Sequence, residues 1–416
     1  MGRSGMRSGW IAVALVVALQ GLLAGCDQQA VAAVEQQILV PELAAAPPVE
    51  AGKALPTATP VGEAPATEAP APDAPPSPTP ASSVIGPDFV PGVNPLTGLP
   101  VDDPAVLTCK PLMVAISLFP VSARAKQAGL PLAAYVFEIY DHDGMTRNLV
   151  GFYGDYVQGL ADILGNRLAE AQPGFSIGPI RSGRLAFEDI KTLFPGAVLI
   201  TAGASSEVAE QLTNRQNVFG SNAGDINSAG LDLAQLQGLV PCNADPAEYA
   251  GLTFDPRPPA GGREAPSFQV IYNDLNRVRW DYDVMRAAYL QSRDKADASG
   301  EYYPSIDQLT GEQLAFPNVL VLFAEHRFVN STATIVEVET LYVEGRKGLL
   351  FRDGRQVDIT WSTRKGELRL FGADGEAIAL RPGPTYFEVV SYQSSWNPEA
   401  MIVRFHTPSL PSRSSP

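Results

Sequence analysis

The sequence predicts an α+β protein, with an N-terminal α/β domain that holds a mixed sheet and a strand-loop-helix crossover unit, and a C-terminal, mostly antiparallel β domain. Up to about residue 253, apolar strand patterns alternate with helical spacing; from about residue 268, short strand patterns follow one another with turn residues between them. The Pro- and Gly-rich segment 254–262 separates the two patterns. We therefore predict an N-terminal domain at 89–253, a linker at 254–266, a C-terminal domain at 267–408 and a tail at 409–416.

The first half contains the elements of the predicted crossover unit. Apolar runs predict strands at 111–117 and 135–140, and the turn Asp141–Gly144 should pair the second with 146–152 as a hairpin. Helical spacing follows at 158–171. The unit itself is predicted as a strand at 175–180, a helix at 185–193, a strand at 197–202 and a helix at 207–212. If its two strands are parallel neighbours, the loops 181–184 and 203–206 open on the same edge of the sheet and share a crevice.

The second half is dominated by strand patterns. They occur at 269–272, 278–282, 318–323, 333–342, 349–351, 358–361, 368–371 and 386–390. Arg352-Asp353-Gly354 and Ala373-Asp374-Gly375 have the composition of hairpin turns. Four aromatic residues of these strands are interpreted as core or cross-strand packing, with an exposed face for glycan or protein contact as the alternative: Trp280, Tyr282, Trp361 and Tyr386.

The N-terminus indicates the cellular compartment. Arg3 and Arg7 precede a short apolar run, which predicts a secretory signal peptide at 1–25. The run ends in Leu23-Ala24-Gly25-Cys26, which resembles the bacterial lipobox, so Cys26 is predicted to be the lipidation site. An ordinary signal peptide with a chance cysteine and an N-terminal membrane anchor are the alternatives. From Cys26 to residue 88 the chain is rich in Pro, Ala and Thr, and we predict a disordered tether because such a segment buries too little apolar surface to fold.

Charge and cysteine content exclude several classes of protein. The formal net charge of −15 opposes binding to nucleic acid. Only three histidines are present, and the sequence has no CxxC or HExxH spacing, so we predict neither a metal site nor a cofactor. Cys109 and Cys242 form a pair suited to a disulfide in an oxidising compartment, and two free buried thiols are the alternative.

Several motifs together resemble one known family. They are Asn94–Pro100, Asp143–Arg147, Ile177–Arg184, Trp280–Asp283, Gln308–Leu314 and Leu350–Gly354. The chain resembles the bacterial YerB-like lipoproteins over about 94–392. This resemblance implies a lipid-anchored extracytoplasmic protein with two adjacent domains of unknown function, and it supplies no catalytic residues.

The segment Ser176–Arg184 is the best candidate for a binding site. Guanidinium groups bind carboxylate or phosphate through paired hydrogen bonds, so an anion site is predicted here. Its candidate residues are Arg181, Ser182, Arg184, Arg147, Ser205 and Ser206. The structural alternative is that the arginines pair with acids such as Glu138 or Asp189, while Ser182 or Gly183 caps the helix.

These observations predict a membrane-anchored extracytoplasmic protein that binds or scaffolds in the cell envelope. Its predicted partners are the membrane, through lipidated Cys26, and an anionic envelope ligand or a protein. The alternative is a cell-envelope hydrolase or transferase that works through Glu138, Asp141, His142 and Asp143. A third possibility is that the C-terminal domain presents a sheet edge to a protein partner.

Overall fold

The computed structural model describes residues 84–166 and 175–409. All of them belong to one compact unit, Ser77–Pro416. The predicted signal peptide, Cys26 and the tether up to residue 83 lie outside the described residues, as do 167–171 of the predicted helix and 410–416 of the tail. Within the part described, no helix is both long and apolar enough to cross a bilayer.

The first half contains strands and helices in alternation, as predicted. Its strands are β1 (Leu112–Ser117), β2 (Tyr135–Tyr140), β3 (Thr146–Phe152), β4 (Val198–Thr201) and β5 (Arg215–Asn217). Its α-helices are α1 (Tyr156–Asn166), α2 (Leu185–Thr192), α3 (Ser206–Ala209) and α4 (Leu233–Leu239). Short 3-10 helices occur at Pro104–Thr108, Val121–Lys126, Leu130–Leu132 and Pro246–Tyr249. A capping box begins α4, because Asp232 and Gln235 each accept a hydrogen bond from the other's backbone N–H.

The second half is built of strands. They are β6 (Arg263–Glu264), β7 (Ser267–Asn273), β8 (Asn276–Asp283), β9 (Ala288–Asp294), β10 (Tyr302–Pro304), β11 (Ala315–Phe316), β12 (Asn318–Phe328), β13 (Val336–Glu339), β14 (Arg346–Arg352), β15 (Arg355–Ser362), β16 (Arg369–Phe371), β17 (Thr385–Ser391), β18 (Ser395–Asn397) and β19 (Ile402–Arg404). Each strand pattern predicted for this half coincides with one of these strands. The predicted α+β class is confirmed.

Two sheets organise the chain. The larger has twelve strands in the order β16-β15-β14-β12-β17-β2-β3-β1-β4-β5, with β13 paired to β12 and β6 to β15. The smaller has seven strands in the order β10-β9-β8-β7-β19-β18, with β11 paired to β9. In the larger sheet β17 is parallel to both β12 and β2, so the sheet continues from one half of the sequence into the other. The boundaries of the predicted domains therefore separate stretches of sequence that share a sheet.

Turn residues of the expected kind close two hairpins. Asp353 and Gly354 have φ of 53° and 70° between β14 and β15, as a two-residue type I′ turn requires. Asp143 and Gly144 also have positive φ in the turn between β2 and β3. Glycine is needed at position 144 because a Cβ there would lie 1.6 Å from the side-chain nitrogen of Asn273. These two hairpin predictions are confirmed, whereas the third predicted turn, 373–375, closes only an isolated antiparallel bridge from Phe371 to Ala377.

The pairing inside the predicted crossover unit was wrong in one respect. Residues 175–180 are not a regular strand beside β4; they make isolated bridges, including Ile180 to Ile116 of β1. The parallel neighbour of β4 is β1, with Val114 opposite Ile200. The β1 run is buried at every position and apolar up to Ile116, so the pattern predicted a strand but did not identify its partner.

The larger sheet is covered on both faces. Side chains of successive β2 residues point to opposite faces. Tyr135 and Phe137 pack against Phe194, which follows α2 closely. Tyr140 stacks on Phe405, which follows β19 of the smaller sheet. One face of β2 is therefore covered by the helical layer and the other by the smaller sheet, and every β2 residue is buried.

Most of the aromatic residues considered for an exposed face belong to the core. Trp280, Trp361 and Tyr386 are buried, whereas Tyr282 is partly exposed. Trp280 packs edge-on against Tyr386 across the two sheets. The core interpretation is confirmed for these three residues.

Cys109 and Cys242 form a disulfide. It joins the chain just before β1 to the chain just after α4, across a sequence separation of 133 residues. A cross-link that closes so long a loop restricts the unfolded chain strongly.

Candidate functional site

The predicted site lies at one edge of the larger sheet. Strands β1 and β2 are both antiparallel to β3, and β1 is parallel to β4, so β1, β2 and β4 end at the same edge. Crevices outside the carboxyl ends of such strands are the usual ligand sites of parallel sheets. The loop after β2, the segment 179–184 and the loop after β4 meet there.

Backbone hydrogen bonds insert the arginine segment between β1 and β4. The Arg181 N–H donates to the Ala115 carbonyl (2.8 Å), and the Arg181 carbonyl accepts from the Ala202 N–H (2.9 Å). The Gly183 N–H donates to the Gly203 carbonyl (2.9 Å). A Cβ on Gly183 would lie 2.6 Å from a methyl group of Leu212, so the close approach requires glycine. The prediction that the loops 181–184 and 203–206 lie side by side is confirmed. The strand that pairs with β4 is β1, however, and not a strand at 175–180.

Asp141 is the anionic centre of the site. Its carboxylate accepts from Arg184 Nε (2.5 Å) and lies 3.3 Å from Arg147 Nη2 and 3.0 Å from His142 Nδ1. Burial by itself raises the pKa of Asp141, but the contacts with His142, Arg147 and Arg184 outweigh burial and hold the pKa well below its usual range. The carboxylate in turn raises the pKa of His142. The structural alternative is therefore borne out in part: Arg147 and Arg184 pair with an acid, but that acid is Asp141 and neither Glu138 nor Asp189.

Arg147 stabilises the loop from beneath. It is buried, and its Nη1 donates to the Ser182 carbonyl (2.9 Å). Its Nε is buried without an acceptor among the described residues. Burial, and then the neighbouring charges of Arg184 and Arg181, lower the pKa of Arg147 to about 9. The guanidinium group of Arg147 therefore lies near two other positive charges, those of Arg184 and Arg181.

Arg181 has no acceptor for its guanidinium group in the described part of the chain. The structure records no side-chain hydrogen bond or ion pair for it, and its Nε is buried. Burial and the nearby Arg184 charge lower the pKa of Arg181, whereas Asp141 raises it. The Ser182 hydroxyl likewise has no partner within the ranges described. These groups are free to bind a ligand.

The two serines of the second loop lie at the start of α3. Ser205 precedes α3 and Ser206 begins it, and both are exposed. Across 84–166 and 175–409, no hydrogen bond joins either serine to the arginines. The helix α3 has four residues and ends before the predicted end at residue 212. The helix α2, which is the first helix of the predicted crossover unit, starts at the predicted residue. Its N-cap is Arg184, which makes no side-chain capping bond, so neither Ser182 nor Gly183 caps the helix.

Formal charge at the site is unbalanced. Three guanidinium groups, those of Arg147, Arg181 and Arg184, surround one buried carboxylate, Asp141. Two positive charges are thus in excess, in a chain whose net charge is −15. Such an arrangement suits an anion.

Of the four residues named for the alternative of a hydrolase or transferase, Asp141 and His142 are in contact, but Glu138 is held elsewhere by Arg293. Glu138 and Asp141 are three residues apart but lie on opposite faces of the sheet: Glu138 contacts Arg293 of β9, and Asp141 contacts Arg184. Asp143 is exposed in the hairpin turn. Among the described residues, no group of His, Cys, Asp and Glu is arranged to hold a metal ion.

Sequence reasoning missed a buried polar cluster between the two sheets. Glu138 accepts hydrogen bonds from Arg293 Nη1 (3.1 Å), Thr146 Oγ1 (2.6 Å) and Tyr386 OH (2.5 Å). Beside it on β17, Glu388 accepts from Tyr272 OH (2.9 Å) and Trp280 Nε1 (3.0 Å). Glu138 and Glu388 each interrupt an otherwise apolar or aromatic run, which is the signal in the sequence that would have indicated this cluster.

The two carboxyl groups of this cluster have opposite pKa shifts. The charge and hydrogen bonds of Arg293 overcome burial and lower the pKa of Glu138. Burial and the Glu138 charge raise the pKa of Glu388 to about 8. At neutral pH the cluster therefore contains one cation, one carboxylate and one largely neutral carboxylic acid.

Two cavities of the described residues lie away from the arginines. One of about 620 Å³ borders β6, β15 and the turn 372–376, and one of about 610 Å³ is lined mainly by residues 87–95. The acids Asp358 and Glu376 on the wall of the first are exposed. We place the candidate site at the arginines because three guanidinium groups share one carboxylate there and the Nε of Arg181 is buried without an acceptor among the described residues, whereas exposed carboxylates are satisfied by water.

The chain is similar to two known domain families and to one solved structure. A model described as "Protein of unknown function (DUF3048) N-terminal domain" matches residues 96–227, and the corresponding C-terminal domain model matches residues 268–387. The crystal structure of the YerB protein from Bacillus subtilis is similar in fold, with a TM-score of 0.54 and 21% identity, covering 71% of this chain and 95% of that one. No curated protein matches the chain. With both domain models in order along it and a YerB-like fold, the chain belongs to the YerB-like family of two adjacent domains of unknown function.

Proposed function

We propose that the protein is a lipid-anchored, extracytoplasmic component of the cell envelope that binds an anionic group and does not catalyse a reaction. The binding site is the edge of the larger sheet that carries Arg147, Arg181 and Arg184. The anchor is Cys26, and the Pro-rich tether separates the folded part from the membrane. Besides the membrane, the partner is an envelope molecule with an exposed anionic group, carried by a small ligand, a polymer or a protein.

The observation that carries the proposal is the unpaired guanidinium group of Arg181. An arginine that only stabilises a loop donates to carbonyls or carboxylates of that loop, as Arg147 does to Ser182. Arg181 makes no such bond in the described part of the chain and lies beside two like charges. Holding it there costs electrostatic free energy, which a bound anion would recover.

Binding of inorganic phosphate and acetate tests the site. The full chain is purified in a nonionic detergent and titrated by isothermal calorimetry at low ionic strength. We expect binding in the wild type and its loss in Arg181→Ala. The control is Arg364→Ala, because Arg364 is an exposed arginine paired with Glu344 elsewhere on the chain. Equal binding in the wild type and Arg181→Ala would rule out this site.

The anchor is tested by replacing its cysteine. In cells that process lipoproteins, we expect the mature wild-type chain to begin at an acylated Cys26 and to sediment with membranes. Cys26→Ser should lose the acyl chains, because the thiol is the attachment point. Intact mass and the distribution between membrane and soluble fractions measure both effects. An unmodified Cys26 in the mature wild type contradicts the anchor without affecting the anion site.

The alternative of a hydrolase or transferase lacks comparable support. Its two most buried acids are held in separate ion pairs on opposite faces of the sheet. A catalytic pair of carboxyl groups has to reach one substrate bond from a shared cleft.

A further inference from the structure

The charge balance of the site indicates how many negative charges its ligand carries. Asp141 neutralises one of three guanidinium groups, and Arg147 is buried below the loop, out of contact with bulk water. Two positive charges then remain for the ligand. A monoanion leaves one of them uncompensated in a partly buried position, where like charges repel more strongly than in water.

Three donor groups of the loop have no acceptor among the described residues. They are the Arg181 guanidinium, the Ser182 hydroxyl and Nη2 of Arg184, whose Nε is held by Asp141 and whose Nη1 donates to the Gly183 carbonyl (3.0 Å). All three belong to a stretch of four residues. One free guanidinium fork, one further guanidinium nitrogen and a hydroxyl suit a group with several oxygen acceptors around one centre.

We propose that the site takes a phosphate monoester, in which a single compact group carries two negative charges and three terminal oxygens. Arg181, Arg184 and Ser182 contact the phosphate directly, and Arg147 is a positioning residue that holds the Ser182 carbonyl from beneath. This inference rests on the proposed anion-binding function and narrows it. A phosphodiester or a single carboxylate, each with one charge, is the weaker ligand.

Methyl phosphate and dimethyl phosphate test the charge requirement because they differ chiefly in the number of negative charges. The second pKa of a phosphate monoester is about 6, so at pH 8 methyl phosphate is a dianion, whereas the diester is a monoanion. We expect the full chain in nonionic detergent to bind methyl phosphate at least about tenfold more tightly than dimethyl phosphate or acetate at pH 8. Arg181→Ala should remove this preference, Arg181→Lys should retain part of it, and Arg364→Ala should leave it unchanged.

The outcomes separate this inference from the proposed function. Equal affinity for methyl phosphate, dimethyl phosphate and acetate, lost in Arg181→Ala, overturns the phosphate monoester and leaves the anion site standing. Binding that is absent from the wild type, or unchanged in Arg181→Ala, overturns both. Since the arginine side chain makes no hydrogen bond with the described residues, Arg181→Ala should fold, and thermal unfolding confirms this.

The same phosphate group occurs in soluble ligands and in lipid headgroups. Dihexanoyl phosphatidate, below its micellar concentration, carries the monoester on a short-chain lipid. Equal affinity for it and for methyl phosphate assigns the group to a soluble or polymeric ligand. An affinity gain of about tenfold for the lipid, lost in Arg181→Ala, assigns it to a headgroup. Either result supports the phosphate monoester, provided that the diester binds more weakly.

Discussion

Glu138 and Asp141 are three residues apart, and each contacts arginine, yet their surroundings differ. Glu138 points between the two sheets, where Arg293 balances its charge and Glu388 is largely neutral. Asp141 points to the helix-covered face, where three guanidinium groups compete for one carboxylate. A balanced, enclosed cluster joins layers of a fold, whereas an unbalanced cluster at a sheet edge suits a ligand. The comparison favours a structural role for the first cluster and supports the proposed binding role of the second.

The largest effect is expected from breaking the balanced cluster. Glu138→Gln removes the carboxylate that hydrogen-bonds to the buried Arg293 and leaves only Glu388, itself buried, to supply a counter-charge; breaking such a buried pair costs about 3–5 kcal/mol of the free energy of unfolding. Urea unfolding followed by circular dichroism measures it, with Arg364→Ala as the exposed control, for which about 0–1 kcal/mol is expected. Added phosphate should not restore the loss, because no anion reaches the interior. A cost of less than about 1 kcal/mol would show that this pair does not hold the two sheets together.

Asp141→Asn should also destabilise the protein, but in a way that an anion reverses. The change removes the counter-charge from three neighbouring arginines, and we expect a loss of about 2–3 kcal/mol at low ionic strength. Phosphate should restore part of it, since a ligand that binds only the folded state stabilises by about 2.7 kcal/mol at one hundred times its dissociation constant. Chloride at the same ionic strength is the control. If phosphate rescues Glu138→Gln equally well, the distinction between the clusters fails.

The protonation of Glu388 predicts how the stability of the balanced cluster depends on pH. Its pKa rises from 4.5 in the unfolded chain to about 8 in the folded one, so the folded state holds the proton more tightly. The stabilisation is fully present below about pH 4.5 and is lost as the pH rises through about 8. A tenfold difference in proton affinity between the two states corresponds to about 1.4 kcal/mol, so a loss of a few kcal/mol is expected between about pH 5 and pH 9.

Glu388→Gln is the matched variant for this effect. Its amide stays neutral and keeps an oxygen for Tyr272 and Trp280, so its stability should change less over the same pH range. Denaturant unfolding of both proteins at several pH values gives the difference, and other titrating groups cancel in it. Parallel curves for the two proteins would mean that Glu388 does not hold the proton.

The sequence predicted local structure well and long-range pairing poorly. The run Tyr135–Tyr140 and the turn after it predicted β2 and its hairpin, because apolar runs and turn residues act locally. Nothing in that run shows that β17, far along the chain, is its parallel neighbour, since many apolar strands fit the same edge. The predicted domain boundary at 254–266 was based on amino-acid composition, whereas the larger sheet contains strands from both halves of the chain.

The same limit applied to the candidate site. The clustered arginines and the two neighbouring loops were predicted from their positions along the chain, and both predictions were confirmed. Which acid pairs with Arg184 depends on which face of β2 each side chain points to, and this requires the sheet. Asp141 directly follows the strand on the helix-covered face, while Glu138 faces the other way. The role predicted for Ser205 and Ser206 stays a prediction, whereas the length of α3 was overestimated.

The smallest effect on stability is expected at Arg181, the residue on which the proposed anion binding depends. Arg181 donates no side-chain hydrogen bond to the described residues and is repelled by Arg184. Arg181→Ala should therefore change the free energy of unfolding by no more than about 0.5 kcal/mol, and in the stabilising direction at low ionic strength. The sign should reverse in phosphate, because only the wild type then gains a bound ligand. Denaturant unfolding in phosphate-free and phosphate buffer measures both signs. A loss of about 2 kcal/mol in phosphate-free buffer would make Arg181 a structural residue like Arg293, and the surplus charge would no longer indicate a ligand.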